Sequence, residues 1–240
     1  MDRVKNYDEY FSNRRPASFA EGIIQFWHRR MFNLAAQHIP GITNRCLLEV
    51  GPGFGYFAQI CKDHGINYMG IEMNANAADA LTDLGYNVIC STIPPFPHLD
   101  KKVDVIWMSH VLEHSPDYIA AREILGAAYE KLSPGGCLVI ICPDYLSWKQ
   151  HFYDIDWSHG FPVTLKRLCQ VISDVGFGIT FSTHHTATLI NGLGSFLHLL
   201  IKLIPVRVLD WISLKLTRKT FCTSFMSMFG WRQIIVIARK

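Results

Sequence analysis

The chain has 240 residues, 49% hydrophobic and 18% charged, with 23 Lys and Arg against 20 Asp and Glu for a net charge of +3. Disordered chains lack this apolar content and collagen-like chains need far more than the 17 Gly and 11 Pro found here, so both classes are excluded. The charge is too mild for a nucleic-acid footprint, and no nucleic-acid partner is expected.

Residues 1–40 mix aromatic and basic side chains, hold a helical stretch over about 19–38 that Pro40 and Gly41 end, and are expected to form an N-terminal helical cap segment. Their opening run has no apolar core, which predicts neither a signal peptide nor an anchor. Tyr7, Tyr10 and Phe11 are aromatic residues expected to pack there or to close over a site.

Short apolar runs then alternate with helical windows. Residues 45–50, 68–72, 88–90, 103–108 and 137–141 are predicted strands, and 54–64, 75–84 and 117–132 predicted helices. This alternation predicts an α/β fold with a parallel, doubly wound sheet. The runs LLEV, VDVIWM and CLVII are nearly continuous, as strands covered on both faces require. A helix over 164–175, the strand FGITFST and a last apolar run QIIVIA complete a domain made of residues 41–185 and 232–240.

Residues 186–231 stand apart as a helical insertion. Lys202, Pro205, Arg207 and Asp210 interrupt every apolar window long enough to span a membrane. After Pro205, the side chains of Val208, Leu209, Ile212 and Leu216 share one helical face, with Arg207, Asp210 and Arg218 largely opposite. The net charge over residues 186–222 is +4. Such a segment either caps the sheet with its apolar face or lies on an anionic membrane surface through residues 195–219. Seven Cys without C-x-x-C spacing, most of them in apolar runs, predict reduced thiols and a cytoplasmic chain, peripheral to the inner face of a membrane if the insertion touches one.

The strongest chemical signal is LLEVGPGFGYFAQ, residues 47–59, in which a strand carrying Glu49 runs into the glycine turn Gly51, Gly53, Gly55 and then a helix. Glycine lets the backbone turn sharply and a ligand approach without a Cβ in the way. The spacing is G-x-G-x-G, whereas a pyrophosphate site uses G-x-G-x-x-G, and Glu49 would repel a phosphate and attract a cation. In MGIEMN, residues 69–74, Glu72 ends the second strand where a carboxylate accepts hydrogen bonds from ribose hydroxyls. A ribose with a nearby positive charge and no phosphate fits S-adenosylmethionine. An oxidoreductase using NAD is the weaker alternative.

With SHVLEH after the fourth strand and LSPGG before the fifth, these motifs resemble, in order over about residues 45–142, the class I S-adenosylmethionine-dependent methyltransferases of the small-molecule type. The resemblance implies a Rossmann-like seven-stranded sheet whose last strand is antiparallel. It assigns Glu49, Gly51, Gly53 and Gly55 to the methionine end of the cofactor and Glu72 to its ribose, with S-adenosylhomocysteine as product. The adenine contact, often acidic in the family, falls here to Ser91 and Thr92 of CSTIPPF. An Asn/Asp-Pro-Pro-Tyr signature is absent after the fourth strand, which disfavours a base amine as acceptor and leaves oxygen or carbon of a small, lipid-linked or glycan-linked molecule.

His110 and His159 are the candidate bases for an acceptor hydroxyl, with hydrogen-bonded wall residues as the alternative role. Residues 110–114 also match H-x-x-E-H, a zinc-protease pattern. No downstream acidic ligand is identifiable in the sequence, so no metal is expected. Glu49, the glycines and Glu72 secure binding only, which keeps a catalytically silent, cofactor-binding subunit as a second reading.

Overall fold

The computed structural model describes residues 18–186, 205–217 and 231–240. Tyr7, Tyr10, Phe11, Lys202, Arg218 and Lys219 lie outside the described residues.

The sheet has seven strands: β1 (Cys46–Val50), β2 (Asn67–Glu72), β3 (Val88–Cys90), β4 (Val103–Ser109), β5 (Leu132–Pro143), β6 (Gly178–Thr186) and β7 (Arg232–Arg239), in the order β3-β2-β1-β4-β5-β7-β6. Strands β1 to β5 pair in parallel, and β7 runs antiparallel between β5 and β6. The expected doubly wound sheet with a reversed last strand is therefore present. Sequence order reverses between β1 and β4, so a crevice opens outside the carboxyl ends of those two strands, where such folds bind ligands.

Alternation along the strands divides the core into two layers. Leu48, Ile106, Met108, Leu138, Ile140 and Val236 face one layer, closed by α4 (Tyr118–Lys131) and α7 (Leu165–Val175). Leu47, Val105, Trp107, Val139, Ile141 and Ile235 face the other, against α1 (Ser18–His38) and α2 (Tyr56–Asp63). Trp27, Met31, Phe32 and Ala35 of α1 are buried in that second layer, because i, i+4, i+5, i+8 spacing puts them on one helical face. Helix α1 is thus a structural layer of the domain. Cys137 and Cys142 fall in opposite layers, as their spacing on one strand requires.

One boundary differs from the sequence reading. The LSPGG run, placed before the fifth strand, itself begins β5: Val103 pairs with Leu132, and the register then shifts before Val105 pairs with Cys137. Helix α8 (Val206–Thr217) forms after Pro205, and of the two placements left open for its apolar face it is the outward one that is seen. Asp210 is buried, while Val208, Leu209, Trp211, Ile212, Leu214 and Leu216 are exposed. The helix docks instead through Val206 on the cluster of Trp148, Phe152 and Trp231. Helix α3 (Ala75–Asp83) and the short helices α5 (Tyr145–Trp148) and α6 (His151–Ile155) complete the described elements used below. Among the described residues no helix is long and apolar enough to cross a membrane.

Candidate active site

The glycine turn joins β1 to α2 with φ of 69° at Gly51, 56° at Gly53 and 79° at Gly55, a left-handed backbone that side chains with a Cβ rarely adopt. Close approach at two of these positions is internal. A Cβ at Gly55 would lie 2.5 Å from Leu81 of α3, and one at Gly51 would lie 3.0 Å from Val111. The Gly51 N–H donates to the Ile71 carbonyl at 2.8 Å, which ties the turn to β2.

Glu72, at the end of β2, is 4% exposed and accepts two backbone hydrogen bonds, from Gly53 N–H at 3.0 Å and from Asn74 N–H at 2.9 Å. Its carboxylate therefore braces the turn as well as facing the crevice. Asn74 caps α3 by accepting from the Ala77 N–H at 2.9 Å. Ser91, after β3, donates its backbone N–H to the Glu72 carbonyl at 2.9 Å and its hydroxyl to the Thr92 carbonyl at 3.1 Å, while Thr92 is exposed.

Glu49 is 2% exposed and accepts the Tyr68 hydroxyl at 2.7 Å. Burial pushes its carboxyl up to about 8, against the Tyr68 hydrogen bond and with help from the Glu72 charge. Among the described residues no Lys, Arg or His lies within ion-pair distance of it. A buried carboxyl of this kind is completed by a cation, so the residues present fit the ammonium end of S-adenosylmethionine.

His110 follows β4 with a φ of 57°, a strained conformation for a residue with a Cβ. Its N–H donates to the Ile141 carbonyl at 2.9 Å, and its side chain remains 39% exposed at the crevice. Sequence reasoning missed two neighbours. Trp27 and His28 of α1 reach this end of the sheet, with Trp27 5.8 Å from the His110 ring and His28 stacked 6.0 Å from Tyr56 at the start of α2. Burial, and then the charge of His110, hold His28 down to about 3, so it is neutral at physiological pH. The signal available was a Trp-His pair interrupting a helical face otherwise made of aliphatic residues and Phe.

The H-x-x-E-H residues lie just beyond. Glu113 and His114 belong to a single 3₁₀ turn, Leu112–His114, and His159 approaches from the loop after α6. One ligand atom from each of the three lies within 4.8 Å of the others. Glu113 is fully buried, and its Oε1 accepts from His110 Nδ1 at 3.0 Å. Burial opposes its ionised form, but the His110 hydrogen bond and the neighbouring His110, His114 and His159 override it and hold the carboxyl down to about 2. His159 is 9% exposed, with Nδ1 on the Phe152 carbonyl, so the fold groups it with Glu113 and His114 and seats it deeper than His110.

A parallel sheet reversed only at β7, opening at a glycine turn between two buried acidic strand ends, has the architecture of class I methyltransferases. Residues 15–180 match the family described as the methyltransferase domain, and the chain belongs to that family, whose methyl donor is S-adenosylmethionine. It is 34% identical over 119 residues to an uncharacterized methyltransferase of Mycobacterium avium, covering 47% of this chain and 44% of that protein. A second uncharacterized methyltransferase, from Mycobacterium tuberculosis, is 30% identical over 131 residues, 52% of this chain and 49% of its own length. The chain thus matches about half the length of these curated relatives. Among solved structures, a SAM-dependent methyltransferase of Archaeoglobus fulgidus superposes with a TM-score of 0.62 at 21% identity, covering 100% of both chains. The N-methyltransferase NodS of Bradyrhizobium japonicum, in complex with S-adenosyl-L-homocysteine, has a TM-score of 0.58 at 12% identity, covering 89% of this chain and 85% of its own. These two likenesses establish the fold.

Proposed function

We propose that the protein transfers a methyl group from S-adenosylmethionine to an oxygen or carbon of a small, lipid-linked or glycan-linked acceptor. The observation that carries this reading is His110, exposed at the end of β4 with its Nδ1 held by a buried, ionised Glu113. Because that carboxylate only accepts, Nδ1 carries the proton and Nε2 is left to take one from an acceptor hydroxyl.

When bound, the donor supplies a methyl on a positively charged sulfonium, open to in-line displacement. Glu49 holds the ammonium end, Glu72 accepts the ribose hydroxyls, and Ser91 and Thr92 stand at the adenine side. Parallel pairing of β1 with β2, which sets Glu49 opposite Gly70, brings the two carboxylates close enough for their charges to interact. Trp27 and His28 close the crevice above α2 and exclude water, which favours transfer to the acceptor over loss of the methyl to solvent.

A lipid-linked acceptor is favoured by α8. Its exposed row of Val208, Leu209, Trp211, Ile212 and Leu216 is the kind of apolar patch that marks a membrane or lipid surface, and Lys215 stands 3.9 Å over the Trp211 ring. The protein on this reading is cytoplasmic and peripheral to the inner membrane face.

Calorimetry with S-adenosylmethionine, S-adenosylhomocysteine and NAD tests the cofactor, with binding of the first two alone expected. Labelled methyl transfer into lipid and glycan extracts then tests the acceptor. His110→Ala is expected to lower turnover by more than it changes cofactor affinity; equal losses would make His110 a wall residue. Retained binding with no transfer to any acceptor would favour a silent, regulatory subunit.

A further inference from the structure

We propose that Glu113, His114 and His159 form a binding site for one divalent first-row transition ion, with zinc the probe of choice. The three ligand atoms already lie within 4.8 Å of one another. Metal-ligand bonds of about 2.0–2.2 Å require a modest closure of that triangle, within reach of side-chain rotation.

Hydrogen bonds around the triangle fix where its lone pairs are. The Ser158 hydroxyl has one proton, and it donates that proton to Asp156 Oδ1 at 2.6 Å. At His114 Nδ1, 2.8 Å away, the same hydroxyl is left to accept. His114 is therefore protonated on Nδ1 and carries its lone pair on Nε2. The Phe152 carbonyl has no proton to give, so His159 Nδ1 donates to it, and His159 also keeps its lone pair on Nε2. Two imidazoles with Nδ1–H anchored and the lone pair on Nε2 are the tautomers that outer-shell partners impose on metal-binding histidines.

Glu113 supplies the anion. His110 occupies Oε1, while Oε2 is buried without an N–H or O–H donor, and the Cys142 thiol, a weak donor, also faces the carboxylate. A buried carboxylate oxygen satisfied at most by a weak thiol donor is costly, and a dication removes that cost. The loop that brings His159 is itself held to the turn: the Gly160 and Phe161 N–H groups both donate to the Glu113 carbonyl, at 2.9 and 3.1 Å. Gly160 is required there, since a Cβ would lie 2.5 Å from the Ser115 carbonyl oxygen. His114 is only half-buried, which leaves the ion a path in. Two imidazoles and a carboxylate are a ligand set for zinc or ferrous iron with at least one position open, here for an oxygen of water or of the acceptor.

The test uses the full chain, stripped with a chelator and titrated with zinc against a chromogenic competitor, with cobalt absorption as the geometric readout. One equivalent per chain is expected. His114→Gln and His159→Gln should each weaken binding at least tenfold by analogy with lost ligands, and Ser158→Ala, which touches no ion, by about 10–100-fold. His98→Gln, at an exposed loop position, should change nothing. Absence of stoichiometric binding by the wild type overturns the proposal, as does binding that all three site variants leave intact. Ser158→Ala changes a single hydroxyl and keeps the test decisive if a histidine variant fails to fold. Titration of the metal-free chain with S-adenosylmethionine is a separate measurement, so failure of this site and failure of the methyl-transfer reading are distinguishable.

Discussion

Glu72 and Gly53, 19 residues apart, are joined by a 3.0 Å hydrogen bond from the glycine N–H to the carboxylate. The end of β2 and the glycine turn are therefore one unit, and a change in either is felt by the other. Glu72→Ala leaves the Gly53 and Asn74 N–H groups without their acceptor, a cost of about 1–3 kcal/mol. Both the melting temperature and the affinity for S-adenosylmethionine should fall. An affinity loss with unchanged stability would mean that the two backbone bonds contribute little, and unchanged affinity would remove Glu72 from the cofactor site.

Glu49 makes the pH dependence of stability readable. Its carboxyl rises from an ordinary 4.5 to about 8 on folding, so between those values the folded chain holds more protons than the unfolded one. Its contribution to stability is full below pH 4.5 and is lost as pH rises through about 8. Glu49→Gln should therefore gain stability relative to wild type as pH is raised across this window, measured by denaturant unfolding at several pH values. Parallel profiles would show that Glu49 is not raised. A cationic ligand beside Glu49 should also expel its proton, so calorimetry in buffers of different ionisation enthalpy should register proton release on S-adenosylmethionine binding, and Glu49→Gln should abolish it.

Gly55 answers to packing more than to ligand access. Gly55→Ala introduces a residue at φ 79° with its Cβ 2.5 Å from Leu81, and should destabilise by about 1–3 kcal/mol from backbone strain before the clash is counted. Adding Leu81→Ala removes the clash and leaves the strain. The double variant should then be less destabilised than the two single losses added together, and strict additivity would show that the contact is absent.

The exposed face of α8 separates folding from surface contact. Trp211 and Leu216 are 58% and 78% exposed, so Trp211→Ser with Leu216→Ser should leave the melting temperature nearly unchanged. The same pair should weaken co-sedimentation with anionic vesicles severalfold. Vesicle binding that is unaffected, or absent in the wild type, would refute membrane contact by this helix.

The strand positions, the glycine turn and the two acidic strand ends were legible in the chain because each is a local pattern. Apolar runs of strand length, a G-x-G-x-G spacing and a carboxylate at a strand end depend on residues adjacent in sequence, and period-two alternation alone separates Leu47 from Leu48 into opposite core layers. The side turned inward by α8 was not legible. Its hydrophobic pattern fixes that the helix has two faces, but which face is buried depends on what Val206 and Asp210 meet, and Trp148, Phe152 and Trp231 are far away in sequence.

The same limit governs the site. H-x-x-E-H could be read at residues 110–114, but the third member is a histidine 45 residues beyond His114, brought in by a loop whose Gly160 packs on the Ser115 backbone. Likewise Trp27 and His28 meet His110 only because α1 packs along one face of the sheet. Sequence by itself determined the fold class, through hydrophobic periodicity, and the family, through motifs in a fixed order; the glycine turn and the two carboxylates at the strand ends are set by the same local patterns. Tertiary structure decided how His110, Glu113, His114 and His159 come together, because burial and long-range packing choose which imidazoles meet the buried carboxylate.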